Sequence, residues 1–182
     1  MTQYRRGIHL RRRAFLLQLV PALVVYAALP LPTARAGAAV VELPEPKPED
    51  VCPVCGAAVA QNPQWIATVL YQDGAADHFD GPRDFFKYLL DMNKYAGGRA
   101  RGQIARMGVT NYYDGSRIDA ASASYVLGSD VLGPKGHDLV PLADEFDAKE
   151  FEGDHRGHRV LRFADITPAI LDALDQGKFV GL

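Results

Sequence analysis

Only two cysteines, Cys52 and Cys55, stand in the 182 residues, too few for the disulfide-dense scaffold of a small secreted module. Hydrolytic signatures are missing as well. There is no Gly-x-Ser-x-Gly elbow, no phosphate-cradling glycine loop and no His-Glu-x-x-His helix, so conventional hydrolytic or nucleotide chemistry has no foothold. The longest apolar stretch, 14–29, is interrupted by Gln18 and Pro21 and runs to about 16 residues, short of the ~20 that span a bilayer. The first 36 residues contain no acidic residue at all. Finally, no cysteine lies near the small-residue triplet Ala34-Arg35-Ala36, which argues against a lipid anchor on an N-terminal cysteine.

What the N-terminus does contain is basic. Arg5, Arg6, Arg11, Arg12 and Arg13 precede the apolar stretch, and Arg12-Arg13-Ala14-Phe15-Leu16 has the pattern of a twin-arginine export signal. Ala34-Arg35-Ala36 has the small-residue spacing of a cleavage site. Residues 1–36 are therefore expected to be a signal removed on export to the periplasm, leaving no stable membrane anchor. They hold six of the 20 basic residues, so the remainder carries 14 basic against 22 acidic residues, a formal charge of −8. That balance disfavours nucleic acid and anionic membranes as partners. Residues 37–50, with Pro44, Pro46 and Pro48, read as an extended linker, and 51–182 as one domain.

Within that domain the pattern alternates between strand and helix. Trp65 to Tyr71 and Ala76 to Phe79 flank Asp73-Gly74 and predict a hairpin. Asp80 and Pro82 predict a capped helix bearing Phe85, Leu89 and Met92 on one stripe. Strands are expected over Ile104–Tyr113, Ser122–Leu127 and Leu139–Leu142, with a loop at Gly133-Pro134-Lys135-Gly136. A short helix at Asp147–Phe151, an edge strand at Arg159–Phe163 and a final helix from Pro168 complete the order. The faint internal echo predicts an α+β fold of two strand–strand–helix units.

The chemistry concentrates in Cys52-Pro53-Val54-Cys55-Gly56. Two thiols two residues apart present both sulfurs to one soft ion, copper(I) or zinc, and Pro53 and Gly56 allow the tight turn. Two other readings stay open: a thiol–disulfide pair, and a structural zinc or disulfide knuckle. His155 and His158 have a spacing compatible with zinc, although a polar loop of this kind is more often simply solvated, His158 above all. His78 is expected to pack on the hairpin, and Met92 and Met107 to be core. Asp77, Asp80, Asp84 and Asp91 read as turns, caps and solvated helix face.

The order of short motifs resembles one family. After the cysteine knuckle come Trp65-Ile66-Ala67, Phe79-Asp80-Gly81-Pro82, Phe85-Phe86-Lys87-Tyr88 and Ile118-Asp119-Ala120. Tyr125-Val126, Gly128-Ser129-Asp130, Gly133-Pro134, Gly136-His137, His155 and Gly157 follow. Over roughly residues 50–175 this is similar to NosL, the accessory proteins of nitrous oxide reductase. The resemblance implies a treble-clef-like α+β domain and a non-enzymatic, periplasmic copper(I) chaperone. Its partner would be a copper-receiving metalloenzyme or a copper transporter, in denitrification. It also implies that His137 joins Cys52 and Cys55 as a metal ligand. Ala57 and Lys135 occupy positions where the family commonly has methionine.

Overall fold

Hydrophobic alternation at the hairpin and helical spacing after it produce a repeated ββαβ arrangement. The structure is a computed structural model and describes residues 37–179. The expected signal, 1–36, lies outside the described residues. In the first unit, β1 (Ala67–Tyr71) and β2 (Ala76–Phe79) form the expected hairpin, followed by α1 (Pro82–Leu90), a short α2 (Met92–Tyr95) and β3 (Ile104–Thr110). A three-residue strand, β4 (Arg117–Asp119), extends the sheet, giving the antiparallel order β2-β1-β3-β4.

The second unit repeats the plan. β5 (Ser124–Leu127) leads to a miniature ribbon, β6 (Leu132–Gly133) and β7 (Gly136–His137), and then to β8 (Val140–Leu142). α3 (Glu145–Asp154) and β9 (Arg159–Arg162) follow, and α4 (Pro168–Gln176) is the last element of the described residues. The second sheet has the order β8-β5-β9, matching β2-β1-β3: the first strand of each unit is central and the post-helix strand lies on its far side. Each strand–strand–helix unit inferred from sequence thus gains a third strand. β9 is an edge strand, as its alternation predicts.

The stretch expected to be a linker lies along the first sheet. Val41 N–H donates to Arg117 O at 2.8 Å and Asp119 N–H to Ala39 O at 2.8 Å, so residues 39–41 cover the exposed edge of β4. An unpaired edge is a template for aggregation, and this pairing removes it.

One core joins the two units. Phe79, Phe85, Phe86, Tyr88 and Leu89 from the first pack with Tyr125, Leu127, Leu139 and Leu161 from the second. Phe86 is the hinge of that contact. Its ring meets Phe85 and Tyr125 edge-on at centroid separations of 5.1 Å, and Phe163 at 5.1 Å. Met92 belongs to this core and Met107 packs against it, as expected. Phe86→Ala leaves a void shared by both units and is expected to cost about 3–5 kcal/mol. Urea unfolding should show that loss in a single transition. Two separated transitions, or a loss below about 1 kcal/mol, would contradict a shared core.

Candidate metal centre

The knuckle is closed by its own backbone. Cys52 N–H donates to Ala57 O and Gly56 N–H to Cys52 O, each at 2.8 Å. Gly56 sits at φ +73°, a left-handed conformation that side chains other than glycine's adopt at a cost. The turn aims the amides of Val54 and Cys55 at Cys52 Sγ and the amide of Ala57 at Cys55 Sγ. Amide-to-sulfur bonds of this kind stabilise thiolates.

Opposite the knuckle stands the N-terminus of α1. Asp80 was expected to cap this helix, but the N-cap is Gly81 and no side chain of the cap residue closes it. The orphan amide of Arg83 is met instead by a remote group, Asp138 Oδ1, at 2.7 Å. Asp80 is thereby free to face the knuckle. Cys55 Sγ lies 3.3 Å from Asp80 Oδ1, and Cys52 Sγ 3.6 Å from Asp84 Oδ2. The four donor atoms of Cys52, Cys55, Asp80 and Asp84 all lie within 4.8 Å of one another. Cys52, Asp80 and Asp84 are buried and Cys55 is exposed, so the cluster opens to solvent on one side. Such a set can hold a single metal ion.

The surroundings act on the thiols. Burial pushes the Cys52 thiol far up, with Asp84 adding to the rise and the knuckle amides opposing it. Burial also raises Cys55, helped by Asp84 and opposed by Lys135. Both cysteines are free thiols. A raised thiol is a poor nucleophile, the opposite of what a redox-active pair needs, whereas a bound cation would favour loss of both protons.

Two of the carboxylates that the sequence reading assigned to caps and solvated face are therefore misplaced by it. Asp80 is 2% exposed and Asp84 5%. Asp91 fits that reading, capping α2 by accepting from Lys94 N–H, whereas Asp77 lies in β2 and accepts from the hydroxyls of the buried Tyr71 and Tyr88. The missed signal was the order of elements, a knuckle, a hairpin and then a helix start, which returns the chain to its beginning.

The histidines fall elsewhere. The His137 ring meets Phe179 edge-on at 5.0 Å, and its Nδ1 is buried without a hydrogen-bond partner. It is not one of the clustered donors. His155 stacks on Phe151 at 4.3 Å with Nδ1 3.2 Å from Asp130, and His158 lies toward Phe179. His78 packs in the hairpin as expected, its Nδ1 2.9 Å from Thr68 Oγ1.

The β6–β7 ribbon covers the cluster. Arg83 donates to the carbonyls of Lys135 and His137 at 3.5 and 3.3 Å, fixing the ribbon to α1. Gly81 allows Asp138 to approach, since a Cβ there would collide with its carboxylate.

A family model described as NosL matches residues 44–171, more than half of the chain. The chain belongs to the NosL family. It is 50% identical over 58 residues to the copper-binding lipoprotein NosL of Stutzerimonas stutzeri. That match spans 32% of this chain and 30% of the relative, so the chain covers less than a third of that relative's length. Among solved structures it resembles the copper chaperone NosL from Shewanella denitrificans, with a TM-score of 0.59 and 23% identity. This match covers 70% of this chain and 97% of the other, and shows a shared fold. The apo-NosL protein from Achromobacter cycloclastes matches at a TM-score of 0.41 and 27% identity, over 58% and 87% of the two chains. NosL proteins are not catalysts, which agrees with the missing hydrolytic signatures. No helix among the described residues is long and apolar enough to cross a membrane.

Asp138, the carboxylate that anchors the ribbon, supplies a pH test. Burial pushes its pKa from 3.8 up to about 7, against the pull of the Leu139 and Arg83 amides. The folded protein binds this proton more tightly than the unfolded chain. Its contribution is fully present below pH 3.8 and is lost as the pH rises through about 7. Asp138→Asn keeps an oxygen for the two amides, so the variant's urea stability should fall less than the wild type's between pH 4 and 7. Parallel pH profiles would refute this role.

Proposed function

We propose that this protein is a periplasmic copper(I) chaperone, exported through the twin-arginine pathway by residues 1–36, with residues 37–50 leading from that signal along the edge of the domain's first sheet. Its cargo is held by Cys52 and Cys55 as thiolates. The observation that carries the reading is two free thiols converging beside Asp80 and Asp84 at one partly open cluster. Thiolates select soft ions, and copper(I) is satisfied by few ligands, so a partner's donor can replace one protein donor at a time. Relatives named as a copper-binding lipoprotein and a copper chaperone support the same cargo.

The knuckle, hairpin and helix N-terminus together form a treble-clef-like frame, with donors from its two ends. His137 is the third ligand of this reading. Its buried, unpartnered Nδ1 is available, and a shift of the ribbon would be needed to bring it to the thiols. The client is a copper-receiving metalloenzyme of the nitrous oxide reductase type or a copper transporter, and the acidic chain favours docking to a basic patch.

One feature favours a second reading. Carboxylates are harder donors than copper(I) prefers, and a Cys2Asp2 set suits zinc in a structural clip.

Anaerobic copper(I) titration of the reduced protein against a competing chelator separates these. One ion should bind per chain. Cys52→Ser or Cys55→Ser should each weaken binding by more than the roughly 10–100-fold that losing an outer-shell partner costs. Because both thiols hold their protons, affinity should also weaken as the pH falls. Zinc that resists chelation, with no copper(I) uptake, would establish the clip instead.

A further inference from the structure

Lys135 projects from the turn between β6 and β7 onto the donor cluster. Its Nζ stands 3.8 Å from Asp80 Oδ2 and 3.9 Å from Asp84 Oδ2, and its charge acts on the Cys55 thiol. Those are three of the four clustered donors. Pro134 and Lys135 of the ribbon turn line a tight space with Asp80 and Asp84. The ammonium therefore stands against the carboxylate oxygens that an incoming ion would need, beside the Cys55 thiol.

The two carboxylates make such a cation necessary. Their side chains are 3% and 6% exposed and their oxygens lie within 4.8 Å, where like charges repel strongly. The side chain that neutralises them is 36% exposed, so it approaches from the solvent side and has a way out. Its backbone is held more firmly: Arg83 donates to the carbonyls of Lys135 and His137, and Asp138 accepts from the Arg83 amide, so the flexible four-carbon stem of Lys135 can swing without any movement of the ribbon.

We propose that Lys135 is the resident cation of this site: its ammonium neutralises Asp80 and Asp84 while cargo is absent, swings into water when a metal ion binds, and returns as the ion leaves. The inference rests on the metal-binding reading above and adds a regulator to it. An internal cation lowers affinity by competition. It also keeps the carboxylates from being left bare at the moment of transfer, which makes release to a partner easier.

Displacement can be read directly. The purified protein is treated with an amine-acylating reagent, with and without one equivalent of copper(I) under anaerobic conditions, and separately zinc(II). Modification of Lys135 is measured by mass spectrometry against the exposed Lys149 and Lys178. Metal should raise the Lys135 rate several-fold and leave the other two unchanged. Lys135→Gln should bind the same ion roughly three- to tenfold more tightly, the scale of removing two partly screened ion pairs. A bound metal that leaves Lys135 reactivity unchanged overturns the inference, as does a Lys135→Gln variant with unchanged or weaker affinity. If zinc expels Lys135 and copper(I) does not bind, the copper reading fails and this inference stands. If neither ion binds, both fail.

Discussion

Thiols and carboxylates gathered in one desolvated place repel one another once ionised, and this protein is built around such a gathering. Cys52 and Cys55 face Asp80 and Asp84 across a gap too small for four negative charges to coexist without a cation. Three features relieve the strain: the thiols keep their protons, the N-terminus of α1 lends its positive end to Asp84, and Lys135 brings an ammonium. The first and the last are reversible; the helix end is permanent. The site is thus tuned by desolvation, and the remainder of the fold keeps that desolvation in place.

The repeat explains how. The first ββαβ unit carries every clustered donor, on the knuckle before its hairpin and at the start of its helix. The second unit carries none, yet its insertion between β5 and β8 supplies the ribbon that packs against Asp80 and Asp84. Asp138 gives the missing cap to α1, and Arg83 returns two bonds to the ribbon, so the helix start and the lid hold each other. Aromatic packing centred on Phe86 fixes the two units at the distance this exchange requires.

Much of this was legible in the chain itself. Asp73-Gly74 between two alternating runs gave away the hairpin, and Pro82 the start of α1, because turn and cap chemistry act locally. The knuckle was legible for the same reason. Asp80 and Asp84 were not. A carboxylate near a helix start reads as a cap, and only the return of the knuckle and the docking of a remote ribbon bury these two. The strand character of Arg117–Asp119 was hidden by its length, and the edge pairing of residues 39–41 by prolines that follow closely behind. In the sequence Lys135 is one residue of a glycine- and proline-rich loop. Its position over two buried carboxylates depends on contacts 51 and 55 residues apart in sequence, which no local pattern encodes.

If both sulfurs of the knuckle bind one cuprous ion, X-ray absorption at the copper edge of the singly loaded protein counts them directly. Two sulfur neighbours are expected, falling to one in Cys52→Ser and in Cys55→Ser. A bound ion with a shell of nitrogen or oxygen alone, unchanged by either substitution, would contradict this coordination.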